Sequence, residues 1–227
     1  MKTIRFYLLL TLSIMLGFFG CAPVYIPNVV NTPMLSNQGE LQGAIYTGVS
    51  GFDPQFAYAI TDHLGVMLNG SFSNKTNDSL NNFHKHQFVE TGVGYYTKIG
   101  ESGRFETFGG LGVAKLKSDY SNNLWISYTD LYSYRAFIQP SIGAATDFFD
   151  GSFSTRFVML SIFQNNLNYN AYFIEPVITA KVGYKYVKAV FQLGFSFPVN
   201  SNELIFSYQP LLFSIGIQAK INTRPKK

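Results

Sequence analysis

Charge is scarce in this chain. Lysine, arginine, aspartate and glutamate make up 13% of its 227 residues, about half the share found in an ordinary soluble domain. A soluble fold of this length needs a charged skin to keep its copies apart, so the scarcity favours an exterior that does not face water. Long apolar runs are also missing beyond the first twenty residues. The apolar share is 47% and the mean hydropathy is +0.08, far below a helical membrane protein. Cysteine occurs once, as Cys21, which excludes an intrachain disulfide and a multi-cysteine metal site. Tryptophan also occurs once, against 22 phenylalanines and 15 tyrosines. The net charge of +4 is mild, and several cations lie in the first five residues or at Arg224, Lys226 and Lys227. No basic cluster is interleaved with stacking aromatics, so a nucleic-acid partner is not expected.

What is present is alternation. In 86–116, one face of the first half carries Val89, Thr91, Val93 and Tyr95, and the other Phe88, Glu90, Gly92, Gly94 and Tyr96. After a Gly/Ser turn, Phe105, Thr107, Gly109, Leu111 and Val113 alternate with Glu106, Phe108, Gly110 and Gly112. Period two describes a sheet with two unlike faces. One face is mildly apolar and almost uncharged. The other mixes glycines with isolated glutamates, as when one side meets lipid and the other a cramped polar interior.

Similar strands are read at 41–50, 55–61, 65–73, 133–145, 152–162, 171–182, 188–197 and 210–221. The Asn-rich stretches 74–84 and 164–170, and 118–132, read as long loops. About ten strands result, at the roughly nine to eleven residues a tilted membrane strand needs. The expected fold is all-β, a closed antiparallel up-and-down barrel. Short connections near 62–63, 100–103, 147–151 and 184–186 alternate with long ones after the first pair, whose outer connection 51–54 is short and breaks the pattern, and membrane barrels keep short turns in the periplasm. Both termini are then expected on that side. Pro140 and Pro176 fall inside strands and predict bulges or local bends. A soluble β-sandwich with these as edge strands is one alternative, and a soluble calycin-like binder anchored only by its lipid is another.

Residues 1–20 have a signal-peptide layout: Lys2 and Arg5, then an apolar run from Phe6 to Phe19. Cys21 follows directly. Either it is acylated as the new N-terminus, or it is lost with a leader cut near Ala22. Residues 21–40 hold prolines and several Asn and Ser. They read as an extended tether, with a small docking strand across the barrel base as the other option. Residues 41–221 form the barrel domain and 222–227 a basic tail.

The small-residue faces carry Glu90, Arg135, Gln139, Arg156, Glu175, Gln192 and Gln218. A barrel of about ten strands has a narrow lumen filled by side chains, and ions buried there must pair. Glu90 and Glu175 with Arg135 and Arg156 are the candidate interior network. It can act as a structural plug, a narrow polar pore or, least readily, a catalytic carboxylate set. His84 and His86 form an H-x-H at a loop–strand junction, read as solvated histidines with metal ligation as the alternative. No catalytic residue, metal ligand or cofactor is expected.

The stretches 51–74, 88–100, 105–116, 137–145 and 173–184 resemble those of Gram-negative outer-membrane β-barrel proteins. Gly20-Cys21 resembles the lipobox of bacterial lipoproteins, although Phe18 and Phe19 stand where that pattern has Leu and a small residue. The end of the chain around Gly216 is similar to the closing-strand signal read by the barrel assembly machinery. Here Ile221 replaces an aromatic and a basic tail follows. The resemblance implies an outer-membrane location, the lipid bilayer and the assembly machinery as partners, and a lipid anchor at Cys21. It supplies no catalytic residues. The functions it leaves open are a structural or interaction role through outer loops, a narrow pore and an outer-rim enzyme.

Overall fold

The computed structural model describes residues 23–77, 82–119, 128–164, 167–199, 204 and 206–223. The expectations for 1–20, for Cys21 and for 224–227 fall outside the described residues. The elements are β1 (Glu40–Gly48), β2 (Phe52–Ala59), β3 (Leu64–Asn77), β4 (Asn82–Ile99), β5 (Gly103–Asp119) and β6 (Tyr128–Ala145). They continue as β7 (Phe149–Gln164), β8 (Leu167–Tyr184), β9 (Val187–Phe195), β10 (Phe197–Pro198) and β11 (Leu211–Asn222). Sequence neighbours pair antiparallel from β1 to β9, and β11 pairs with both β9 and β1. The two-residue β10 continues the ladder of β9 along β8. The result is the expected closed ten-stranded up-and-down barrel, and closure leaves no unpaired sheet edge.

The pleat divides each strand as its sequence alternates. On β4, Val89, Val93 and Tyr95 are exposed while Phe88, Glu90 and Tyr96 are buried. On β9 the pattern alternates without a break. Outward positions around the wall carry Ile45, Phe56, Leu68, Leu111, Ile138 and Phe191, all exposed. Inward glycines make room for inward rings. A Cβ on Gly110 would lie 2.5 Å from the Phe137 ring, and one on Gly94 would lie 2.6 Å from the ring of Phe108, its cross-strand partner.

Three expectations are corrected. The described residues of the polar stretches read as long loops are strand. β3 and β4 stay paired out to Asn77↔Asn82, and β7 and β8 out to Gln164↔Leu167. Ladders need only backbone groups, so asparagines are tolerated where neighbours supply the pairing. The extensions make β4 and β8 18 residues long, against nine in β1 and eight in β2. One side of the barrel therefore stands taller at the long-connection end.

No bulge forms at Pro140 or Pro176. Pairing skips past Pro140 between Ile138↔Phe157 and Ser141↔Ser154 in one unchanged register. It skips past Pro176 in the same way, between Val177↔Gly194 and Ile174↔Phe197. Proline removes a donor but inserts no residue, so the ladder is interrupted and not shifted. The register shift lies between Leu116 and Ser118 on β5.

The third correction concerns the segment read as a solvated tether, or as a strand across the barrel base. Residues 23–35 are buried almost without exception and run inside the barrel. Val24 and Tyr25 donate their amides to Ser207 O in the long connection before β11, at 3.0 and 3.2 Å. At the other end, Arg104 Nε donates to Ser36 Oγ at 2.9 Å, beside the short β4–β5 turn. The chain thus enters the lumen at the long-connection end and leaves at the short-turn end, where β1 begins. The described chain starts at one end of the barrel and finishes at the other, not with both ends on one side. Asn222, read as tail, belongs to β11.

Candidate functional site

The lumen and the peptide inside it form the most elaborate polar site among the described residues. An extended segment in a lumen has no neighbouring strand to take its backbone groups, yet buried carbonyls and amides must be paired. Here the wall side chains do it. Five consecutive carbonyls each receive a donor from a different strand. Arg156 Nη2 of β7 reaches Asn28 O at 3.0 Å, Gln55 Nε2 of β2 reaches Val29 O at 2.8 Å, and Gln192 Nε2 of β9 reaches Val30 O at 2.6 Å. Gln139 Nε2 of β6 reaches Asn31 O at 2.8 Å, and Lys181 Nζ of β8 reaches Thr32 O at 2.6 Å. Gln192 also accepts from Val30 N at 3.1 Å, so its amide binds both sides of that residue. Met34 N donates to Glu106 Oε2 at 2.9 Å. Pro23, Pro27 and Pro33 lower the number of amides that need partners, since proline has none.

The structure brings the four candidate network residues into this site as two ion pairs. Arg135 donates through Nε to Glu90 Oε2 at 2.9 Å, and its Nη2 contacts the same oxygen. Arg156 donates through Nε to Glu175 Oε2 at 2.7 Å. Both guanidinium groups also donate to one acceptor on the threaded peptide, Asn28 Oδ1, at 2.7 and 2.9 Å. Remaining carboxylate oxygens are taken by Asn69 on Glu90 at 3.0 Å, and by Tyr25 and Ser196 on Glu175 at 2.8 and 3.0 Å. All four charged side chains are at most 3% exposed. Ions can stay in such a place because each has a paired partner and further hydrogen bonds. The Arg135 guanidinium also lies 4.2 Å from the centre of the Phe88 ring.

Above this layer, toward the long-connection end, inward apolar side chains share the lumen with buried polar ones such as His84, His86 and Ser71. Val24, Leu116, Leu131, Ile162, Phe173 and Phe206 belong to one buried cluster. Below the layer, Leu35 packs with Ala59, Tyr96 and Phe108 in the same cluster.

His84 and His86 are not solvated loop residues. Both lie buried on β4, where strand parity points them inward. His86 Nε2 is 2.9 Å from Ser71 Oγ, and His86 Nδ1 is 2.8 Å from His84 Nε2. This order of a hydroxyl, a base and a group orienting the base has the outline of a nucleophile relay. Ser71 is 1% exposed, however, so no substrate reaches its hydroxyl in this arrangement. Among the described residues no three His, Cys, Asp or Glu side chains are grouped to hold a metal ion.

The role of residues 28–32 was not legible in their own sequence, since they read as a generic extended linker. Gln139 and Gln192 were visible as inward amides. Gln55, Asn28 and Lys181 were missed, because a polar side chain says nothing of its partner when that partner is distant in sequence.

The sequence matches no family model and no curated protein. Among solved structures it is similar to a major outer membrane protein from Thermus thermophilus, with 12% identity over 80% of this chain and 99% of that one, at a TM-score of 0.33. So low an overlap transfers nothing but a general likeness.

Proposed function

We propose that this chain is a sealed outer-membrane β-barrel, with the bilayer as its solvent and a structural or interaction role at its long-connection end. The observation carrying this reading is the outward belt. Around a closed wall, the charged side chains at described outward strand positions are Lys85, Lys115, Lys117 and Asp130 only, all near one end of β4–β6. A soluble barrel would expose an apolar surface far larger than monomers tolerate. The threaded peptide and the apolar cluster above it support sealing over conduction. The buried Ser71 supports a role without catalysis.

In this reading the short turns face the periplasm, and β11 carries the signal used by the barrel assembly machinery. The proposed anchor then changes place. Two residues, Ala22 and Pro23, separate Cys21 from Val24, and the three Cα–Cα steps span at most about 11 Å. An acyl anchor on Cys21 would then belong with the long connections and not with the short turns.

Membranes washed with carbonate and urea test the reading. The chain is expected to stay with the membrane and to migrate faster unboiled than boiled. Release as a soluble species with no such shift would favour a lipid-anchored soluble binder and overturn the proposal. In planar bilayers the purified protein is expected to give no discrete conductance steps.

A further inference from the structure

We infer that the outer surface of β4–β6 is a binding site for a multiply phosphorylated, acylated lipid. The inference rests on the membrane-embedded reading above and adds a ligand to it. Lys85 and Lys117 are direct cross-strand partners, and Lys115 is paired with the adjacent Gln87. Like charges directly opposite on one sheet face are destabilising. Among the described side chains one acid lies beside them: Asp130 Oδ1 is 3.0 Å from Lys117 Nζ and 3.7 Å from Lys115 Nζ. Lys85 has no ion-pair partner among the described residues, and its ammonium lies 5.9 Å from the centre of the Phe83 ring. Among the described side chains two positive charges are left in excess, held at the one place where described outward strand positions carry charge.

The surroundings specify an amphiphile. The lysines, with Ser73, Asn74 and Gln87, line a polar hollow of about 520 Å³. Four residues along the same strands, Val89 and Val113 form another direct pair, roughly 13 Å away at strand spacing. They line an apolar groove of about 590 Å³ with Leu68, Leu111, Tyr134 and Met159. The small side chain of Ala136 lines its floor. A headgroup carrying two or more phosphates meets the ammonium groups while an acyl chain lies in the groove. A singly charged or zwitterionic headgroup leaves at least one lysine uncompensated.

The test is native mass spectrometry of the full-length barrel in detergent. The probes are a bisphosphorylated, multiply acylated glucosamine disaccharide (lipid A), its dephosphorylated counterpart, phosphatidylethanolamine and inorganic pyrophosphate. The bisphosphorylated lipid is expected to bind at least ten-fold more tightly than each of the other three. Lys85→Gln/Lys117→Gln is expected to abolish that preference, and Asp130→Asn to strengthen binding. Equal binding of phosphatidylethanolamine would reduce the site to ordinary lipid contact, and equal binding of pyrophosphate to a phosphate site without a lipid; either result overturns the inference. So would an unchanged preference in the double variant or a weaker one in Asp130→Asn. Unboiled gel migration of each sample reports the barrel itself, so failure of the membrane reading shows there and not in the lipid comparison.

Discussion

At the scale of the residue, the buried charges respond most sharply to substitution. Arg156→Met leaves the buried Glu175 without its guanidinium partner. Removing one partner of a buried pair costs about 3–5 kcal/mol. The variant is expected to lose the folded, fast-migrating form at a clearly lower urea concentration than the parent. Arg156→Met/Glu175→Leu is expected to recover most of that loss, since no unpaired ion remains. Equal loss in the double variant would show that packing, and not the orphaned charge, sets the cost. Asn28→Leu tests the peptide side of the same contact. It removes the acceptor shared by Arg135 and Arg156 while keeping a similar volume, and its transition is expected to fall as well. At Gly110 a Cβ would lie 2.2 Å from Thr91 O. Backbone cannot yield there as a flexible side chain can, so Gly110→Ala is expected to lower the folded yield.

At the scale of the element, the strand pattern makes a prediction free of any assumption about function. Spin labels placed one at a time along β4 should alternate in their surroundings. Labels at 89, 93 and 95 should be relaxed by dissolved oxygen, which concentrates in lipid, and labels at 90, 92 and 96 should not. A break in that alternation would mean that β4 faces lipid on neither side or on both. The threaded segment is an element of another kind, with no ladder of its own. Its partner atoms Thr32 Oγ1 and Thr179 Oγ1 lie 3.3 Å apart. Thr32→Cys/Thr179→Cys is accordingly expected to cross-link on mild oxidation in folded protein and not in urea. Failure to cross-link in the folded form would place the segment outside the lumen. The period-two faces of β4 and β5 could be read from their residues alone, because each side chain reports which side of the pleat it occupies. The extensions at 74–77, 82–85 and 167–170 could not. Asparagine and serine favour turns in isolation, and only the adjacent strands convert them to ladder.

At the scale of the whole molecule, a ten-stranded wall has room for one extended chain and its hydrogen-bonding side chains, and this protein supplies the chain itself. The barrel and its plug therefore form one cooperative unit. The path through the lumen also separates the ends of the described chain. An epitope placed directly before Pro23 and another after Thr223 are expected on opposite faces of the membrane, the first cleaved by protease added to intact cells and the second protected. Accessibility of both from one side would contradict the threaded path. A hydroxyl-directed fluorophosphonate is expected to leave Ser71 unlabelled in folded protein. Labelling that disappears in Ser71→Ala would mean that the lumen opens and that the buried relay has chemistry to do.

The sequence by itself determined the wall. Scarce charge, two-faced strands and short turns at every second connection leave a closed sheet with a greasy outside as the economical solution, and the four paired ions were visible as inward charges that needed one another. Only the tertiary structure decided what fills the lumen. A proline-rich segment has no periodic face to betray its place, and an inward glutamine looks the same whether it meets water, a neighbour or a passing carbonyl. That choice emerged when closure of the wall placed Gln55, Gln139, Lys181 and Gln192 around one axis, where a single extended backbone satisfies them all.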